Sequence, residues 1–169
     1  QDMQTWLSEQ GRFRAIGFAT FGPVELDPAS PNWGRILKTP KPGWSGADLI
    51  GALRKRFDCA IAVDTDVNAA ALAEAKWGAG RGHGTILYFT VGTGIGGGAV
   101  IAGKSLRGQG HPEMGHIRLA RHPDDVQFTG TCPFHGDCLE GLASGPAIIA
   151  RWGQSLSELT SDHPAHDII

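Results

Sequence analysis

The spacing of apolar and polar positions divides this chain into alternating strands and helices. The stretch from Asp2 to Glu9 reads as a helix, and Arg14 to Thr20 as a strand. Phe21 to Pro23 is a turn and Val24 to Asp27 a short second strand, followed by a proline-rich loop over 28–43. Gly46 to Phe57 carries apolar Leu49, Ile50 and Leu53 at helical spacing, with Arg54, Lys55 and Arg56 at its C-terminal end, where cations suit the helix dipole. Cys59 to Val63 is a short buried strand. The alanine-rich run from Asp66 to Trp77 is a helix stopped by Gly78, with Asp64, Thr65 and Asp66 as capping residues before it.

The pattern then repeats in kind. Thr85 to Val91 reads as a buried strand, Gly92 to Gly98 as a turn and Ala99 to Ile101 as a returning strand. His116 to Leu119 is expected to be another strand, and 121–137 a loop without periodicity. Cys138 to Trp152 gives one or two helices, the second started by Gly145-Pro146. Strands and helices alternate in both halves, so the class is α/β. Trp33, Trp44, Trp77 and Trp152 could serve as sugar platforms, although packing is the commoner use of tryptophan.

Composition sharpens this. The 25 glycines in 169 residues are roughly twice the usual ~7% share. They have no three-residue period, which excludes collagen, and they cluster in loops. A net charge of -2 is less basic than a nucleic-acid groove requires, so no nucleic-acid partner is expected. No apolar run is long enough to span a membrane, and the first residues lack a secretory pattern. Three cysteines make a poor disulfide framework, and a reducing, cytoplasmic setting is expected. Gln1 is not an initiator residue and the chain stops at Ile168-Ile169, so the sequence is expected to be a segment of a longer protein.

Four constellations could carry chemistry. Gly92-Thr93-Gly94-Ile95-Gly96-Gly97-Gly98 offers consecutive backbone N–H groups to an anion, or is simply a glycine-rich hairpin. It fits neither the dinucleotide fingerprint, since a strand follows it, nor the P-loop, since no Lys-Ser/Thr follows. Asp64-Thr65-Asp66 stands at a strand end before a helix, where a carboxylate can act as general base or merely cap. Cys132, His135 and Cys138 have metal-ligand types and spacing, with a disulfide or free thiols as the alternative. Spacing leaves the fourth ligand open between His116 and His122. Glu113 and Glu140 are acidic groups beside polar loops that could accept hydrogen bonds from sugar hydroxyls.

Asp64-Thr-Asp-Val-Asn68, Gly92-Thr-Gly-Ile-Gly-Gly-Gly98, Gly110-His-Pro-Glu-Met-Gly-His116 and Cys132-Pro-Phe-His-Gly-Asp-Cys138-Leu-Glu140 occur in one order. In that joint order the chain resembles the ROK family of sugar kinases and repressors, most closely its bacterial fructokinase branch, over nearly its whole length. The resemblance implies an actin-like, ribonuclease-H-like α/β fold of two lobes, with 1–80 and 81–169 each supplying part of one. It implies ATP-dependent phosphorylation of a hexose, with Mg2+ and a structural Zn2+. Asp66 matches the catalytic base. Asn32, Thr65, Glu113, His116 and Glu140 match substrate contacts, and Gly92, Thr93, Gly94, Gly96 and Gly97 match the second phosphate loop. His116, Cys132, His135 and Cys138 match the zinc ligands, which favours His116 over His122.

Two departures accompany the resemblance. Thr65 stands where the family often has Asn, and the Cys/His spacing is wider than the family's common C-x-C; both look like the fructokinase branch. Fructose is therefore the expected hexose, a glucose or mannose kinase and a sugar-sensing repressor being the family's alternatives. The first phosphate loop is expected upstream of Gln1 and the adenosine motif downstream of Ile169, so this segment alone is expected to be inactive. A homodimer is expected from the family.

Overall fold

The computed structural model describes residues 3–108 and 110–169, so the expected helix start at Asp2 lies outside the described residues. The elements are α1 (Met3–Glu9), β1 (Ala15–Thr20), α2 (Gly51–Arg56), β2 (Ala60–Thr65), α3 (Asp66–Trp77), β3 (Thr85–Val91), β4 (Ile95–Ile101), β5 (Lys104–Ser105), α4 (Leu139–Ala143), α5 (Gly145–Trp152) and α6 (Ala165–Ile168). Single 3-10 turns occur at Met114–His116, Pro123–Asp125 and Leu156–Glu158. The class is α/β, as the alternation implies. No helix among the described residues is long and apolar enough to cross a membrane.

The chain divides into two compact units, 1–86 with 99–112, and 87–98 with 113–169. In the first, β1 and β2 pair in parallel from Ala15↔Ala60 to Thr20↔Thr65. β2 runs two residues past the expected end at Val63, so Asp64 and Thr65 belong to the strand as well as to the start of α3. The core gathers Val24, Leu26, Ile36, Ile50 and Val63, with Phe18, Trp33 and Ile61 packed against it.

Two expected elements of this unit are shorter than the pattern suggests. Among the described residues Val24 to Asp27 makes one bridge, Val24 to Ile36, extended by Glu25 bonding the backbone of Arg35 and Gly34, before the chain turns at Asp27. The Asp27 carboxylate accepts the Ala29 N–H at 2.9 Å, a local turn that competes with the strand. The helix expected from Gly46 begins only at Gly51. The backbone of 46–49 is spent on the loop before it: the Gly46 N–H donates to the Ile36 carbonyl, Ile36 to Ala47 and Leu49 to Gly34. Asp48 pairs with Arg35 and accepts the Gly51 N–H at 2.8 Å, which starts α2 there.

In the second unit, β3 is apolar but not buried: Leu87, Phe89 and Val91 are 62%, 43% and 63% exposed, so the expected burial of this strand is not met among the described residues. The glycine turn closes at 92–94, and Gly96, Gly97 and Gly98 lie within β4 rather than in a loop. Gly97 is there for space, since a Cβ would come 2.7 Å from Met114 and 2.9 Å from Phe89. The strand expected at His116 to Leu119 is instead the 3-10 turn Met114–His116 followed by a single bridge, Arg118 to Cys138. The aperiodic loop 121–137 is held by polar staples. Arg121 donates to the carbonyls of Asp125 and Phe128. The buried Arg151–Asp125 pair closes at 2.9 Å, with the Arg151 guanidinium over the Phe128 ring. The two helices expected over 138–152 are α4 and α5, with Ser144 capping the second through the Ala147 N–H.

Candidate active site and metal group

The first unit sets a carboxylate pair at the β2–α3 junction. Asp64 and Thr65 point into buried surroundings, at 9% and 1% exposure, whereas Asp66, the first residue of α3, is exposed. Four donors converge on Asp64. Its Oδ1 accepts the Thr65 N–H at 2.8 Å and Asn68 Nδ2 at 2.9 Å. Its Oδ2 accepts Ser105 Oγ at 2.9 Å and the Arg107 guanidinium at 2.6 Å. Burial pushes the Asp64 carboxyl up, but Arg107, Asn68, the Thr65 amide and Ser105 together outweigh it and hold the group below its ordinary value. Asp64 is therefore an ionised structural anchor.

The cap of α3 is Thr65, whose Oγ1 accepts the Asn68 N–H at 3.3 Å. The same hydroxyl lies 3.4 Å from His111 Nδ1. Asp66 Oδ1 accepts the Val67 N–H at 2.9 Å, which ties the exposed carboxylate to the first turn of α3. A carboxylate so placed can accept a proton from a bound hydroxyl. Asn32 sits exposed in a turn, its N–H donating to Ser30 Oγ at 3.2 Å. Ser105 and Arg107 are neighbours of Asp64 that the sequence reading did not single out, while His111, part of the Gly110 to His116 motif, lies beside Thr65. No periodic signal marks Ser105 and Arg107, since they come from β5 and the loop after it.

The second unit holds the glycine turn and the Cys/His group. Gly92 N–H donates to the Gly94 carbonyl at 2.9 Å, closing the turn. Thr93 lies at its tip, and Gly96 and Gly97 follow on β4. The 3-10 turn Met114–His116 packs closely on β4: Met114 fills the space at Gly97, and a Cβ on Gly115 would collide with the Ile95 carbonyl oxygen. Glu113, exposed, starts this turn with φ +51°. Glu140 is half-buried on α4, and its Oε2 accepts the Ile95 N–H at 2.9 Å.

His116, Cys132, His135 and Cys138 come together, their ligand atoms all within 4.8 Å of one another. His116 Nδ1 is 3.5 Å from Cys138 Sγ, and Cys132 Sγ is 3.7 Å from both His116 Nδ1 and His135 Nδ1. A tetrahedral ion with ~2.3 Å bonds to sulfur and ~2.0 Å bonds to nitrogen would space such atoms by about 3.5 Å. The cysteines are free, not a disulfide. Burial, with Cys132 alongside, pushes the Cys138 thiol up against the N–H groups of Gly141 and Glu140 that lower it. A cation between the sulfurs would reverse that balance, so the donor chemistry fits a metal ion. His122 stands apart from the group. Its Nδ1 accepts the Asp124 N–H at 3.3 Å and caps the next turn.

The chain is 54% identical over 147 residues to a fructokinase of Zymomonas mobilis subsp. mobilis, covering 87% of the chain and 49% of that protein. It is 47% identical over 161 residues to a fructokinase of Lactococcus lactis subsp. cremoris, covering 95% and 54%. The chain thus spans about half the length of the curated relatives it matches. The solved ROK hexokinase of Thermus thermophilus superposes with a TM-score of 0.68 at 32% identity, over 90% of this chain and 50% of that one. The fold is accordingly the actin-like α/β fold of these sugar kinases. The model of the ROK family matches residues 3–167, a span that takes in the β2–α3 carboxylates, the glycine turn and the Cys/His group, and the chain belongs to that family.

Proposed function

We propose that the complete polypeptide carrying this sequence transfers the γ-phosphoryl group of ATP to a hexose, and that the hexose is fructose. The observation that carries the reading is Asp66: an exposed carboxylate on the first residue of α3, held by the Val67 N–H, at the end of the strand that carries the buried Asp64. The fructokinases at 54% and 47% identity support fructose as the acceptor.

In this reading the 6-hydroxyl oxygen of the sugar attacks the γ-phosphorus as the bond from that phosphorus to the bridging oxygen of ADP breaks. The hydroxyl proton passes to Asp66. Asn32, Thr65, Glu113, His116 and Glu140 orient the sugar. The loop of Gly92, Thr93, Gly94, Gly96 and Gly97 receives phosphate oxygens on backbone N–H groups other than that of Gly92, which closes the turn. Mg2+, when bound with the nucleotide, neutralises phosphate charge. His116, Cys132, His135 and Cys138 would hold zinc, which supplies a fixed cross-link for a loop with little apolar core of its own. The four protein donors close the site, so its role is structural.

A lobe division near residue 80, a cytoplasmic setting and a homodimer belong to the same reading. The 169-residue chain alone is expected not to turn over, because the nucleotide needs more of the fold than half the relatives' length provides. The test is the initial rate of ADP formation by the complete polypeptide with ATP, Mg2+ and fructose, glucose or mannose. Fructose is expected to give the highest kcat/KM. Equal or better use of glucose would remove the fructose assignment, and no sugar-dependent ADP would remove the kinase.

A further inference from the structure

Glu140, a sugar contact by resemblance, has a second partner in the structure. Its Oε2 accepts the Ile95 N–H at 2.9 Å, where the glycine turn passes into β4. A Cβ on Gly94 would lie 2.7 Å from that same oxygen, so glycine at 94 is what admits the carboxylate. The peptide between Gly94 and Ile95 is thereby held at both poles. Its N–H goes to Glu140, and its carbonyl accepts the Gly92 N–H at 2.9 Å. The other end of the turn is held from α5, where the Gly145 N–H donates to the Gly92 carbonyl at 2.8 Å. A Cβ on Gly145 would come 3.1 Å from that carbonyl oxygen.

Without these ties a Gly-Thr-Gly segment would rotate its peptide planes at little cost. Backbone amides bind an anion only when they share a direction. We propose that Glu140 is a positioning residue for the glycine turn: by fixing the 94–95 peptide it sets the direction of the turn's amides and so the affinity for the nucleotide's phosphates, independently of sugar. The inference rests on the reading of this turn as a phosphate loop.

The test measures the affinity of the complete polypeptide for a non-hydrolysable ATP analogue with Mg2+, by calorimetry, with no sugar present. Glu140→Ala is expected to raise Kd about tenfold or more, the loss of one charge-assisted hydrogen bond. Glu140→Gln keeps an acceptor for Ile95 and is expected to stay within about threefold of the parent. Gly94→Ala, which drives the carboxylate off the turn, is expected to match Glu140→Ala and keeps the test open should that variant not fold. Unchanged affinity in Glu140→Ala or Gly94→Ala, or a Glu140→Gln as weak as Glu140→Ala, overturns the inference. A parent that binds the analogue but phosphorylates no fructose removes the fructokinase reading and leaves this one standing. A parent that binds no analogue removes both.

Discussion

Asp64→Asn isolates the buried anchor at the β2–α3 junction, two residues before the proposed base. Asparagine can still accept the Thr65 N–H and Asn68 Nδ2 through its oxygen, the partners at 2.8 and 2.9 Å. Its amide nitrogen would then face Ser105 and Arg107. The serine hydroxyl can rotate to accept, but a guanidinium has no acceptor to offer. The net loss is one charge-assisted hydrogen bond, worth ~1.5–3 kcal/mol when buried. Arg107 is 37% exposed and stays partly hydrated, so about 2 kcal/mol is expected. Urea unfolding of the complete polypeptide at pH 7 measures it as a shift of midpoint at constant slope. Acid supplies the sign. The folded Asp64 carboxyl lies below its unfolded value, so its stabilisation is fully present above about pH 4 and is lost as pH falls through the folded value. The gap between parent and Asp64→Asn should stay constant from pH 7 to about pH 4 and shrink below it. A variant as stable as the parent, or a gap that does not close in acid, would refute the anchor.

Metal analysis of protein purified without chelator should find about one zinc per chain, absent in Cys132→Ser and retained in His122→Ala, since only the former belongs to the Cys/His group. Loss of metal in His122→Ala would contradict the ligand set. Gly115→Ala should cost roughly 1–3 kcal/mol in urea unfolding, because the added methyl meets the Ile95 carbonyl. A neutral result would mean that the Met114 turn does not pack on β4 as described.

Much of this site is legible in the sequence because its parts are local. Helix α3 has its bounds written in Thr65, which caps it, and Gly78, which ends it. The Cys132 to Cys138 spacing folds on itself within one loop, and only His116 is brought from outside that segment, an assignment that spacing left open and the resemblance favoured. What spacing could not supply is long-range. Two of the four partners of Asp64, Ser105 and Arg107, lie more than forty residues away, on β5 and the loop after it. The late start of α2 was hidden because Asp48 and the amides of 46–49 pair with Arg35 and the preceding loop, whereas the apolar pattern alone favours a longer helix. The glycines of 96–98 read as turn residues, yet Gly97 is a strand position emptied for Met114 and Phe89, a demand only packing reveals.

The central claim is that Asp66 accepts the proton of a fructose hydroxyl during phosphoryl transfer. Label transfer from γ-labelled ATP to fructose, measured with the complete polypeptide and with its Asp66→Asn variant, tests it most directly. The parent should form fructose 6-phosphate, and the variant should do so on the order of 10²–10⁴ times more slowly while still binding nucleotide. A parent that labels no sugar, or a variant that keeps most of the parent's rate, would contradict it.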